Sequence, residues 1–151
     1  MTKNTKYLGI DFGLKRVGIA VSDEGKAYSF QRDYMLNDKI FIEKLISLIK
    51  SENIELIIIG YPLNFKSENT DSTTAVDTFR NKLETTLKIE KPDTKIEYYD
   101  ERFTSGLAAH NLAMSGLSKT KKREKGLIDS ISAQIILQDF IDNKKNKSNT
   151  I

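Results

Sequence analysis

Apolar and polar positions alternate along this chain in short stretches. Residues 6–11 (Lys-Tyr-Leu-Gly-Ile-Asp) and 16–22 (Arg-Val-Gly-Ile-Ala-Val-Ser) read as strands joined through the turn Gly13-Leu14-Lys15, close enough to form a hairpin. Residues 27–32 predict a third strand. Ile40, Phe41, Leu45, Leu48 and Ile49 recur at helical spacing and predict a helix over 38–51. Residues 54–59 are an apolar run, the pattern of a buried central strand. The polar stretch Gly60 to Thr74 is the longest loop expected. Ala75, Val76, Phe79, Leu83 and Leu87 mark a second helix, and residues 95–100 a fifth strand that again ends in acid. Thr104 suits the N-cap of a helix over 105–114. Ser115 to Lys125 reads as a basic loop, 126–142 as the last helix, and 144–151 as a basic polar tail expected to be disordered. The order β-β-β-α-β-α-β-α-α predicts an α/β fold. Its sheet is mixed and five-stranded, the first three strands antiparallel, with helices on both faces and one domain over residues 1–143.

Composition narrows the chemistry. The 151 residues hold no cysteine and one histidine, His110. A disulfide scaffold, a thiol nucleophile and cysteine-ligated zinc are excluded, and a histidine-rich metal site is too. Asp and Glu number 21, so catalysis here would rest on oxygen ligands. No opening apolar segment reads as a secretory signal and no run is long enough to span a membrane, which predicts a cytoplasmic protein. Net charge is only +3, but Lys119, Lys121, Lys122, Arg123 and Lys125 cluster around Glu124, and Lys144, Lys145 and Lys147 follow in the tail. Two basic segments on a mildly acidic body suit a polyanion, and equally a solvated loop and tail. No apolar helix face demands a second copy, so the oligomeric state stays open with a lean to monomer.

Four acids stand out. Asp11 closes an apolar strand, Asp100 and Glu101 close another, and Asp129 begins the helical stripe Ala133, Ile136 and Phe140. Each has a local explanation: a turn former before Gly13, a solvated loop start, a first-turn acid on its own helix dipole. Together they fit another pattern. Loops at the carboxyl ends of strands form the ligand crevice of α/β sheets. If the strands of Asp11 and Glu101 are neighbours, an acid on a facing helix completes a cluster of three carboxylates. Such acids repel unless a hard divalent cation binds between them, and two such ions can drive phosphodiester cleavage.

Four ordered blocks carry a family resemblance. Ile10-Asp11-Phe12-Gly13-Leu14-Lys15-Arg16-Val17-Gly18-Ile19-Ala20 resembles the opening of the YqgF family, also called RuvX or Holliday junction resolvase-like proteins. Gly60-Tyr61-Pro62-Leu63 resembles its Gly-x-Pro-Leu loop, and Asp100-Glu101-Arg102-Phe103-Thr104-Ser105 its Asp-Glu-Arg-x-Thr motif. Residues 128–137 resemble its closing helix. The resemblance covers about residues 7–141 and implies an RNase H-like fold, similar to RuvC resolvases. It implies Asp11, Glu101 and Asp129 as catalytic acids holding Mg2+ or Mn2+, with Asp100 a neighbouring candidate. Because side chains alternate along a strand, Asp100 and Glu101 should face opposite ways, and Glu101 is preferred. Lys15, Arg16, Arg102, Thr104, Lys121, Lys122 and Arg123 are the implied contacts to nucleic acid. The implied activity is maturation of the 5′ end of pre-16S rRNA, with ribosomal precursor particles as partners. The alternatives are resolution of four-way DNA junctions and a non-catalytic nucleic-acid-binding module. An actin-like ATPase also opens with Asp-x-Gly, but needs two such domains. The chain departs from the family at residues 64–70, which lack the usual glycine, and at Ser132, where alanine is commoner.

Overall fold

The computed structural model describes residues 4–62, 71–100 and 121–148, with side chains over 4–62, 73–100 and 130–144. Five strands form one mixed sheet: β1 (Lys6–Asp11), β2 (Arg16–Ser22), β3 (Ser29–Leu36), β4 (Ile54–Tyr61) and β5 (Lys95–Asp100). Their spatial order is β3-β2-β1-β4-β5. The pairs β1/β2 and β2/β3 are antiparallel, while β1/β4 and β4/β5 are parallel. This is the predicted mixed sheet with an antiparallel first half.

Helices cover both faces. On one, α1 (Phe41–Ser51) and α2 (Asp71–Glu90) bury Phe41, Leu45, Ile49, Val76, Phe79, Leu83 and Leu87 against Leu8, Ile10, Val17, Ile19, Ile57 and Ile59. On the other, α3 (Lys121–Ser148) buries Ala133, Ile136, Leu137 and Ile141 against Tyr7, Ala20, Leu56 and Ile58. The apolar run of β4 supplies both cores, as a strand buried on two faces must. Two glutamines tie α3 to the sheet. Gln138 accepts from the Ser29 N–H at 2.8 Å and donates to the Ala27 carbonyl at 3.1 Å, and Gln134 donates to the Ser29 carbonyl at 3.1 Å.

Several boundaries differ from the sequence expectation. β4 runs on to Tyr61 and α2 starts at Asp71, so the loop expected over Gly60 to Thr74 is shorter at both ends. β3 runs to Leu36 because it pairs with β2 through Val17–Met35 and Arg16–Leu36. It is an edge strand with mostly exposed residues, so no apolar periodicity marks it. The first helix starts at Phe41 rather than 38, because the Asp38 carboxylate turns back to accept the Ile40 N–H at 3.1 Å. The last helix spans Lys121–Ser148, so Lys121, Lys122 and Arg123 lie on a helix and not in a basic loop. Residues 144–148, expected in a disordered tail, continue it. Lys, Arg, Glu and Gln are strong helix formers, and Gly126 is tolerated within such a run. The helix expected over 105–114 lies outside the described residues. No helix among the described residues is long and apolar enough to cross a membrane.

Candidate active site

The carboxyl ends of β1, β4 and β5 share one edge of the sheet, because all three are parallel. Asp11 ends β1 there, half-buried. Along β1, Leu8 and Ile10 belong to the α1/α2 core and Tyr7 to the α3 core, so alternation puts Asp11 on the α3 face. Its neighbours in the sheet are glycines. Asp11 pairs with Gly18 of β2, and the register joining Ile10 to Ile59 brings Gly60 of β4 beside it. The carboxylate therefore stands on a floor without side chains. Arg16 shares this face, two positions beyond Gly18, with Val17 and Ile19 turned the other way.

The turn after Asp11 is tightly closed. A Cβ on Gly13 would lie 2.3 Å from the Arg16 carbonyl oxygen, which only glycine avoids. Asn37, just past β3, donates its backbone N–H to the Lys15 carbonyl at 2.9 Å and its side-chain amide to the Gly13 carbonyl at 3.0 Å. Lys15 is exposed in this turn. The role of Asn37 is invisible in the sequence, since its partners lie more than twenty residues away.

Helix α3 runs antiparallel to β1. Phe140 and Lys144 sit beside Tyr7, and Ala133 and Leu137 beside Gly9. Two residues further along β1 is Asp11; four residues back along α3 from Ala133 is Asp129, so the two positions are level. Ser130, next to Asp129, is buried, and its Oγ has no hydrogen-bond partner among the described residues. On β5, Tyr99 belongs to the α3 face and Ile96 and Tyr98 to the other. Asp100 therefore faces away from Asp11, consistent with the expected split of the acid pair. β1 and β5 are not neighbours: β4 lies between them, which sets them about 10 Å apart. Glu101, Arg102, Thr104 and the side chains of Asp129, Lys121, Lys122 and Arg123 lie outside the described residues. Among the described residues no three His, Cys, Asp or Glu side chains converge as a metal-binding group.

A second polar group sits on the opposite face at the same edge. Asp77 of α2 accepts hydrogen bonds from Tyr98 Oη of β5 at 2.7 Å and Tyr61 Oη of β4 at 3.2 Å. The two rings lie 4.4 Å apart. Arg80, one helical turn on, stacks its guanidinium 4.5 Å from the Tyr98 ring centre and donates to the Ile96 carbonyl at 3.3 Å. Burial, then the Asp77 carboxylate, raises both phenols above their usual 10.0. One carboxylate thus ties together the carboxyl ends of β4 and β5, where the Gly60-Tyr61-Pro62 and Asp100-Glu101 segments begin. Sequence reasoning missed it, because Asp77 sits among the polar positions of an amphipathic helix.

The donors on offer suit a hard cation. Asp11 brings only carboxylate oxygen, and its sheet neighbours Gly18 and Gly60 put no side chain beside it.

Known proteins resemble this chain along most of its length. The RuvX family model, described as Holliday junction resolvase, matches residues 5–143. A protein of Sulfurihydrogenibium sp. (strain YO3AOP1), named "Putative pre-16S rRNA nuclease", is 39% identical over 138 residues, covering 91% of this chain and 90% of that protein. A Bacteroides fragilis protein of the same name is 35% identical over 141 residues, covering 93% and 99%. Among solved structures, T. thermophilus RuvC in complex with a Holliday junction substrate superposes with a TM-score of 0.60 at 14% identity, covering 93% of this chain and 96% of that one. That likeness is one of fold.

Proposed function

The chain belongs to the RuvX family, and from that premise we propose that it is a metal-dependent endonuclease that processes the 5′ end of pre-16S rRNA. Nuclease is the activity in its relatives' names, and the substrate follows the same relatives. The observation that carries the reading is the position of Asp11: at the carboxyl edge, on the α3 face, level with Asp129, and flanked by Gly18 and Gly60. Asp11, Glu101 and Asp129 would hold Mg2+ or Mn2+. The parity of β5 supports Glu101 over Asp100, because Tyr99, two residues before Glu101, shares the Asp11 face. The bound cation supplies Lewis acidity and a more acidic water. Arg16, on the same face, meets the phosphate. Lys15, Arg102 and Thr104 add contacts around it, and Lys121, Lys122 and Arg123 contact the backbone further out. One domain over residues 1–143 and a cytoplasmic location belong to the same reading, with ribosomal precursor particles as the partner.

The family's description as a Holliday junction resolvase favours a second substrate, four-way DNA. One experiment separates the two. Labelled RNA carrying the 5′ leader of the small-subunit precursor and a labelled four-way DNA junction are incubated with magnesium or manganese, using wild type and Asp11→Asn. Cleavage of the RNA by wild type, reduced at least about a hundredfold in Asp11→Asn, is expected. Metal-free Asp11→Asn should melt no lower than wild type, since a repelling carboxylate is gone. Junction cleavage alone moves the substrate to DNA. Equal cleavage by wild type and Asp11→Asn overturns the site.

A further inference from the structure

The face that carries Asp11 has a concavity away from Asp11 itself. A cleft of about 410 Å³ lies between β5 and the C-terminal half of α3, lined by Glu97, Tyr98, Tyr99, Phe140, Asn143 and Lys144. Tyr99 and Phe140 meet edge to face, ring centres 6.1 Å apart, and both are partly exposed. The Asn143 amide donates to Tyr99 Oη. Lys144 Nζ is 3.2 Å from Tyr7 Oη and lies over the Tyr7 and Phe140 rings at 5.4 and 5.8 Å. Its ammonium is thereby positioned at one end of the cleft.

Size, chemistry and place agree on an occupant. A volume near 400 Å³ is at the small end of ligand pockets, which run from about 300 Å³ upward, and suits a single nucleotide. Aromatic side chains stack on any base, and an ammonium binds the phosphate beside it. Glu97 at the rim and Asp139 near Tyr99 are acidic, which disfavours a phosphate there; Glu55 also acts on the Lys144 ammonium, so a phosphate at that end shares the ammonium with a carboxylate. The register sets Tyr99 opposite Gly60, itself beside Asp11, so the cleft opens about 10 Å from Asp11 on the same face. That is the reach of one or two nucleotides.

We propose that this cleft holds one nucleotide of a single-stranded flank of the substrate, its base against Tyr99 and Phe140 and its phosphate at Lys144. The inference takes from the nuclease reading only the reason a strand passes here. Binding is measurable without cleavage. The test is an NMR titration of the full-length isotope-labelled protein, free of divalent metal, with six-nucleotide single-stranded RNA and, in a second arm, DNA of the same sequence. Signals of Tyr99, Phe140, Asn143 and Lys144 should shift, and the two arms show whether the sugar matters. Tyr99→Leu and Lys144→Gln should each weaken binding about fivefold or more, while Tyr99→Phe, which keeps the ring, binds within twofold of wild type. Lys144 is exposed, so Lys144→Gln remains informative if Tyr99→Leu unfolds. No binding of either oligomer overturns the proposal, as do shifts confined to other residues or wild-type affinity in Lys144→Gln. Loss of the cleft with cleavage intact leaves the nuclease reading standing. Cleft binding together with undiminished cleavage by Asp11→Asn does the reverse.

Discussion

Gly9 has no room for a side chain. A Cβ there would lie 2.7 Å from Leu137 Cβ and 2.9 Å from the Ala133 carbonyl oxygen, and the latter is helix backbone that cannot swing aside. The close approach holds α3 down on β1, which sets Asp129 level with Asp11. Gly9→Ala is therefore expected to cost about 1–3 kcal/mol, read from the denaturant midpoint, and to lower cleavage beyond what the unfolded fraction explains. A variant as stable as wild type would show that α3 has slack. At this scale the placement of Asp11 and Asp100 at strand ends is legible in the sequence, and the residues that support them are not. Asp11 and Asp100 stand out because an apolar strand that ends in acid is unusual. Gly18 and Gly60 gain meaning only from the register, which pairs residues distant in the chain. Asn37 and Asp77 look like any polar residue in a turn or on a helix.

Among the elements, the sheet was the most readable. β1, β2 and β5 begin and end where the pattern of residues puts them, because each has a half-buried or buried face that imposes alternation. β3 lacks such a face and was read short. The last helix was read short at both ends, since its outer turns bury no stripe and only propensity marks them. The sequence left open which strands adjoin. It allowed β1 and β5 to be neighbours, whereas β4 separates them and Asp77 joins the ends of β4 and β5 from beneath. That clamp has a measurable role. Asp77→Ala removes the shared acceptor of two partly buried phenol hydroxyls, leaving Tyr61 its contact with Thr73 and Tyr98 its contact with Arg80, and should cost about 1–3 kcal/mol. Tyr98→Phe removes one bond and should cost about 1 kcal/mol, with kcat falling and KM little changed as the β5 end loosens. Equal kcat in Tyr98→Phe and wild type would reduce the clamp to a stability device.

For the whole molecule, pH is the direct probe of packing. Burial, before any other cause, raises the phenols of Tyr61, Tyr98 and Tyr99 above 10.0. A group harder to ionise when folded favours the folded state while it is neutral, and that contribution is complete below pH 10 and lost as pH rises above it. The melting temperature should fall from about pH 10 upward, and less steeply in Tyr98→Phe. A level melting temperature through the alkaline range would mean that these rings are solvated. The order in which the chain is made adds a last consequence. Asp11 and its glycine floor come from the first half of the chain, while α3, which closes the other wall, comes from its final thirty or so residues. Until α3 docks, Tyr7, Ala20, Leu56 and Ile58 have no cover and the position of Asp129 has nothing to face. On the proposed assignment of Asp129, a chain still emerging from its own synthesis therefore carries half a site: cutting power would arrive only with the last helix, and an unfinished copy would pose no danger to the nucleic acid around it.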